Sequence, residues 1–290
     1  MEESTPKITT IGRKEFRWGE RTYVMGIINM SPESFSGDGL TQLDAAVEQA
    51  KRFADEGADI LDAGGESTKP GLPEIPENEE AKRVIPLIEK LSGKVKIPIS
   101  IDTSRYEVAR QALEAGALMI NDQWGLKKEL RLGELAAKYD VPIVLMSNQR
   151  DIGSYDAKAG RDTADYEDVM QAVTRNLQNS ITTATEAGVL GKNIIIDPGI
   201  GFGHTWQQDI EIIQRLRELK KFGKPVLIGT SRKSLIKMVL KLPANDRVEG
   251  TAATVAISIA NGADIVRVHD VKQMVRVCRM TDAIIRTSGQ

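Results

Sequence analysis

The chain has 290 residues, 41% of them hydrophobic, which is enough for one large domain with a sizeable core. Lys and Arg number 39 against 41 Asp and Glu, a formal net charge of -2, so there is no overall basic field of the kind that holds nucleic acid. The single cysteine, Cys278, excludes an intrachain disulfide and a thiolate metal cluster, and no apolar run approaches the roughly 18 residues of a membrane span.

The opening MEESTPKITT is polar and acidic, unlike a secretory signal, so the expected location is the cytoplasm. Ile8–Trp18 has hairpin spacing around Gly12 and is expected to close the bottom of the domain. After it, short apolar runs alternate with longer amphipathic segments. The runs are Tyr23–Ile28, Ala58–Ala63, Ile97–Ile101, Ala117–Ile120, Val141–Met146, Ile194–Ile196, Pro225–Ile228 and Asp264–Val268. Helical patterns lie between them, among them Leu43–Glu56, Glu77–Leu91, Arg105–Ala115, Tyr166–Ala187, Gln207–Lys221 and Gly250–Asn261. Gly57, Gly116, Gly188 and Gly262 each follow such a pattern, where a C-terminal glycine is expected. Eight strand-plus-helix units predict an α/β fold, a (β/α)8 TIM barrel with a short N-terminal β-hairpin, spanning residues 1–290 as one domain. A doubly wound open sheet is the alternative.

In such a barrel the site forms where the strands end, so the residue closing each run is informative. These are Asn29, Asp62, Asp102, Asn121, Ser147-Asn148, Asp197, Gly229-Thr230-Ser231 and His269. The bland reading is a set of helix caps. Carboxylates and carboxamides on the strands themselves, with the helix-starting Ser104, Thr205 and Ser231 further on, favour a shared site instead. Asp102, Asn121 and Asp197 supply acceptors that suit a flat heterocycle with adjacent N–H donors. The two carboxylates could also serve as a general acid and base, or as metal ligands. Opposite them, Ser231-Arg232-Lys233-Ser234 and Arg267-Val268-His269-Asp270 carry the side chains expected of an oxyanion site. A solvated first helical turn would explain Arg232-Lys233 too, but positive charge there opposes the helix dipole. Two loops, Met30–Gly39 and Gly64–Gly71, have the Gly, Ser and Pro content of lids over an anionic substrate. Asn29, at the base of the first, could ligate Mg²⁺ beside a diphosphate.

Six segments occur in one order: MGIINMSPESFSGDG, DILDAGGESTKPG, ISIDTSRYEVARQALEAGALMINDQWG, IIIDPGIGFGHT, PVLIGTSRKSLI and IVRVHDV. Together they resemble the dihydropteroate synthase family of pterin-binding barrels. That resemblance implies condensation of 6-hydroxymethyl-7,8-dihydropterin diphosphate with p-aminobenzoate, releasing diphosphate, in a homodimer that is a target of sulfonamides. It implies pterin contacts at Asp102, Asn121, Met146, Asp197, Gly229 and Lys233. Diphosphate would be held by Asn29 through Mg²⁺ and by Lys69, Arg267 and His269; p-aminobenzoate by Thr68, Pro70, Phe202, Ser231 and Lys233. Asp102, Asp197, Lys233, Arg267 and His269 would carry the catalysis, which needs no covalent nucleophile.

Departures from the family pattern fall at Glu33, usually Asp, and Lys69, usually Arg, which loses a bidentate fork. Ser147-Asn148 replace His-Met, His204 replaces a frequent Lys, and Gln123 replaces an apolar residue beside the pterin. Two other readings share the acceptor-rich pocket. A methyltransferase from methyltetrahydrofolate to a corrinoid protein would not need the diphosphate features, and a non-catalytic pterin binder would bind without turnover.

Overall fold

The computed structural model describes residues 7–31, 42–67, 73–150 and 166–286. An antiparallel hairpin, β1 (Ile8–Ile11) and β2 (Lys14–Arg17), comes first. Eight parallel strands follow: β3 (Tyr23–Asn29), β4 (Ile60–Gly64), β5 (Ile99–Asp102), β6 (Met119–Asp122), β7 (Ile143–Met146), β8 (Ile194–Asp197), β9 (Leu227–Ile228) and β10 (Ile265–Val268). Their order runs β8-β7-β6-β5-β4-β3-β10-β9, and a parallel bridge between Ile196 and Val226 joins the two ends. Pairing of the first barrel strand with the last, together with that bridge, makes a barrel and rules out the open doubly wound sheet.

The helices are α1 (Leu43–Asp55), α2 (Glu77–Leu91), α3 (Tyr106–Ala115), α4 (Arg131–Tyr139), α5 (Val169–Glu186), α6 (Trp206–Gln214), α7 (Ser234–Leu240), α8 (Val248–Ala260) and α9 (Val271–Ile285). Their apolar stripes explain why they pack outside the strands: α1, for instance, buries Ala46, Ala50 and Phe53 on one face. Two boundaries differ from the sequence pattern for local reasons. The segment expected as one helix over Gln207–Lys221 is α6, opened by a capping box between Thr205 and Gln208, and then a 3₁₀ turn over Leu216–Phe222 that ends on left-handed Gly223. The segment expected to start at Tyr166 starts at Val169, because the Asp168 side chain accepts from the Met170 and Gln171 N–H groups.

Strand alternation builds the interior in layers. Met25, Ile60, Met119, Val144, Ile195, Leu227 and Ile265 point inward and form one apolar cluster with Ile11, Phe16, Trp18 and Tyr23. Phe16, Trp18 and Tyr23 pack together with ring centroids 4.8 to 5.9 Å apart, Phe16 stacked on Trp18 and Tyr23 edge-on to Trp18, so the hairpin floors the barrel as expected. Two positions further along the strands, roughly 7 Å higher, the inward-facing residues are Ile27, Asp62, Asp102, Asn121, Met146, Asp197, Gly229 and Arg267. The change from an apolar to a polar layer is what places the site.

Cys278 lies on the inner face of α9, buried, with its thiol pushed up to about 12 by that burial. It is a packing residue. A thiol reagent at about pH 8 should label it readily in denaturant and at least tenfold more slowly in the folded protein; equal rates would contradict this placement.

Candidate active site

The polar layer is wired around Arg267. Its Nε donates to Asp62 Oδ2 at 2.5 Å and its Nη2 to Asp102 Oδ2 at 2.7 Å. Asn121 Nδ2 also donates to Asp62 Oδ2, at 2.9 Å, and Gln123 Nε2 donates to Asp102 Oδ2, at 2.5 Å. Strand register brings these groups side by side, since Asp102 lies opposite Asn121 and Met146 opposite Asp197. Asp62 is fully buried, and the carboxylates can be tolerated there because a guanidinium bridges them.

Burial is the largest influence on each ionisable group. It pushes Asp102 up to about 7; the Arg267 charge opposes the rise, and Asp62 adds to it. Burial would lower the Arg267 pKa, but the Asp62 and Asp102 charges outweigh it and raise the value. Asp197 is raised by burial, against the charge of Lys233 and the N–H of Gly199. Lys233 is lowered to about 8 by burial, opposed by Asp197 and Asp209. The site therefore holds one acid, Asp102, and one base, Lys233, that titrate near neutrality, a common property of active sites.

Two chambers open above this layer. The inner one is bounded by Asn121, Met146, Asp197, Gly229, Lys233 and Arg267, with Ser231 and His269 also on its wall. The outer one is bounded by Asp102, Glu66, Glu80, Trp124, Lys128 and Arg150. Gln123 and Phe202 face both. Phe202 carries Lys233 Nζ 4.8 Å and the Arg150 guanidinium 4.7 Å from its ring centre. Lys233 Nζ also donates to the Ile200 carbonyl, which pins the ammonium over the glycine-rich loop. On the far wall His269 Nδ1 lies 2.9 Å from Ser231 Oγ, and the same hydroxyl accepts from the His269 N–H.

The structure thus brings Asp102, Asn121, Met146, Asp197, Phe202, Gly229, Ser231, Lys233, Arg267 and His269 together around two connected chambers. Asn29 closes β3 one layer above Ile27, toward the mouth. Thr68, Lys69, Pro70 and Glu33 lie outside the described residues. Three positions have surroundings that the sequence does not show. Arg267 sits below the rim, as the counterion of two carboxylates, and its Nη1 makes no hydrogen bond among the described residues. Arg232, counted with the oxyanion side chains, pairs bidentately with Asp270 at 2.6 and 3.0 Å. His204 turns away from both chambers and sits, fully buried, 3.6 Å from Asp209, with neither ring nitrogen hydrogen-bonded among the described residues.

Sequence reasoning gave Asp62 no role, although it was among the strand ends. The signal was there: Asp62 is two positions after the inward-facing Ile60, as Asp197 is two after Ile195. Ser147 and Asn148, where an imidazole and a thioether are expected, support the site from behind. Asn148 Nδ2 donates to the Gln123 carbonyl at 3.0 Å, and Ser147 Oγ accepts from Gln149 at 2.9 Å.

A parallel barrel with a polar acceptor cluster inside and cations on its upper wall defines a class of ligand-binding barrel enzyme. Residues 25–269 match the model of the pterin binding enzyme family, and the chain belongs to that family. It is 48% identical to the dihydropteroate synthase of Clostridium beijerinckii over 278 residues, which is 95% of this chain and 99% of that one. Among solved structures, the dihydropteroate synthase of Clostridium difficile, determined in the presence of pteroic acid, superposes with a TM-score of 0.84 at 46% identity, covering 93% of this chain and 99% of that one. That of Xanthomonas albilineans, with 4-aminobenzoic acid, gives a TM-score of 0.86 at 36% identity, covering 98% and 100%.

Proposed function

We propose that the chain is a transferase of folate biosynthesis, a dihydropteroate synthase joining 6-hydroxymethyl-7,8-dihydropterin diphosphate to p-aminobenzoate. The observation that carries the reading is the layer of Asp102, Asn121 and Asp197 around Arg267, closed on one side by Lys233. Pterin N–H and amino groups are donors in one plane, and these three side chains are acceptors held at strand ends. We assign the diphosphate to Asn29, Arg267 Nη1 and His269 at the upper side of this layer, and to Lys69 as the family resemblance implies. We assign the arylamine to Phe202, Ser231 and Lys233, which share the chamber walls, and to Thr68 and Pro70 as the family resemblance implies.

The donor set suits Mg²⁺ bound together with the substrate. Among the described residues no group of three His, Cys, Asp or Glu could cage a metal, while Asn29 offers a hard carboxamide oxygen at the mouth. Mg²⁺ commonly takes one or two protein ligands and fills its sphere with water and phosphate oxygens. When bound, it would neutralise charge on the leaving diphosphate. The protein's own part is electrostatic. Arg267 and His269 stabilise the departing oxyanion, and the buried carboxylates stabilise positive charge on the pterin.

The working unit we propose is a homodimer in the cytoplasm. Met238, Val239 and Leu240 on α7, Ile257 on α8 and Met280, Ile284 and Ile285 on α9 are exposed apolar side chains on consecutive helices, which supports self-association there.

Diphosphate release should require both Mg²⁺ and the pterin diphosphate, and dihydropteroate should form only when p-aminobenzoate is added. Asp102→Asn and Lys233→Met should each lower product formation by about a hundredfold or more. Tight pterin binding without any release would instead identify a non-catalytic binder, and the absence of pterin binding would overturn the reading.

A further inference from the structure

Gln123 follows β6 directly and, among the described residues, is the one polar side chain facing both chambers above Asp102. With Asp102 ionised the carboxylate only accepts, so the amide nitrogen faces it, with Nε2 2.5 Å from Oδ2. Oε1 is then left buried with no hydrogen-bond partner among the described residues. A half-satisfied buried amide is an unfavourable choice where an apolar side chain would fit. What the amide does achieve is visible on its partner. Arg267 Nη2 reaches the same Oδ2 at 2.7 Å, so both contacts to Asp102 fall on one oxygen and neither on Oδ1.

We infer that Gln123 is a positioning residue, which with Arg267 occupies Oδ2 of Asp102, fixes the carboxylate plane and presents Oδ1 to an N–H of the bound heterocycle. The inference rests on the pterin reading above and deepens it. Its second consequence concerns protonation. Asp102 is faced by Arg267 from β10, Asp62 from β4 and Glu80 from α2. Glu80 is itself paired with Arg105. Asp62 and Glu80 disfavour the charged carboxylate, while Arg267 and Gln123 favour it. Removing the amide donor takes away one of the two stabilising groups, so the carboxylate gains its proton at a higher pH and Oδ1 ceases to be a reliable acceptor.

The test is calorimetric binding of 6-hydroxymethylpterin to the wild type and to Gln123→Leu across about pH 5.5 to 8.5, with thermal melting to establish that both are folded. The expected result is a pH profile displaced upward by about one unit in Gln123→Leu. That means weaker binding throughout, with a loss roughly tenfold larger on the acid side than on the alkaline side. Gln123→Met, of similar length without the donor, should behave like Gln123→Leu. Weakening by the same factor at every pH, or superimposed profiles, would overturn the positioning role while leaving the pterin reading intact. A wild type that binds no pterin at any pH would overturn both.

Discussion

Arg267→Leu should yield a chain several kcal/mol less stable than the wild type and reduced in turnover by about a thousandfold or more. The stability loss follows from what stays behind. Asp62 and Asp102 share this guanidinium at 2.5 and 2.7 Å, and Asp62 has no exposed surface. Breaking a buried ion pair by deleting one partner typically costs about 3–5 kcal/mol, because the remaining charge is uncompensated. Asp102 already sits at about 7 with the cation present. Loss of the cation can only raise it further, so the folded variant binds a proton more tightly than the unfolded chain. Its stability is therefore gained as pH falls from the folded value toward the ordinary carboxylate range, and lost again as pH rises. Urea unfolding at about pH 5 and about pH 7.5 checks this. The gap between variant and wild type should narrow at the lower pH, and a gap of equal size at both would refute the counterion role.

Gly199→Ala should be the most damaging replacement by a single methyl group. Gly199 has φ of 79°, a left-handed conformation that alanine adopts only under strain, and a Cβ there would stand 2.0 Å from the Ser147 carbonyl oxygen. Backbone cannot rotate out of the way as a side chain would. The displaced carbonyl belongs to the residue whose N–H binds the Asp197 carbonyl at 2.8 Å, and the Gly199 N–H itself donates to Asp197 Oδ1 at 2.7 Å. The methyl group thus pushes apart the ends of β7 and β8 just where Asp197 must be held. The expected outcome is a loss of at least about 2 kcal/mol and more than a hundredfold in pterin affinity. Gly201→Ala is the comparison: its φ is 78°, but the nearest atom to a Cβ is the flexible Lys233 Cδ at 3.4 Å. Equal damage in the two variants would mean that backbone strain, and not the clash with Ser147, dominates.

The barrel was legible because its strands are short continuous apolar runs bounded by turn residues and four of its helices are followed by Gly57, Gly116, Gly188 and Gly262. Both signals are local. The acceptor cluster was legible because Asp102, Asn121 and Asp197 interrupt those runs. What stayed hidden depends on contacts between distant parts of the chain. Nothing near Arg267 in sequence says that its guanidinium bridges Asp62 and Asp102, 205 and 165 positions earlier. Arg232 reads as a free cation until Asp270 is seen across two strand ends. His204 reads only as a replacement for a frequent lysine, and nothing local says that, after left-handed Gly203, its buried ring lies 3.6 Å from Asp209. Gln123 was noticed as a departure, but the importance of a departure depends on the group it touches, which only the fold supplies.

The aromatic hairpin beneath the strands also governs traffic. Phe16, Trp18 and Tyr23 stopper the lower end of the barrel, so arrivals and departures share one doorway at the upper rim. On the function proposed, the molecule that settles against Asp197 and Asn121 would come in ahead of the one that docks by Phe202, and would be shut in once that second guest is seated. A joined product spanning both chambers then has to back out whole along the same route before the next round begins.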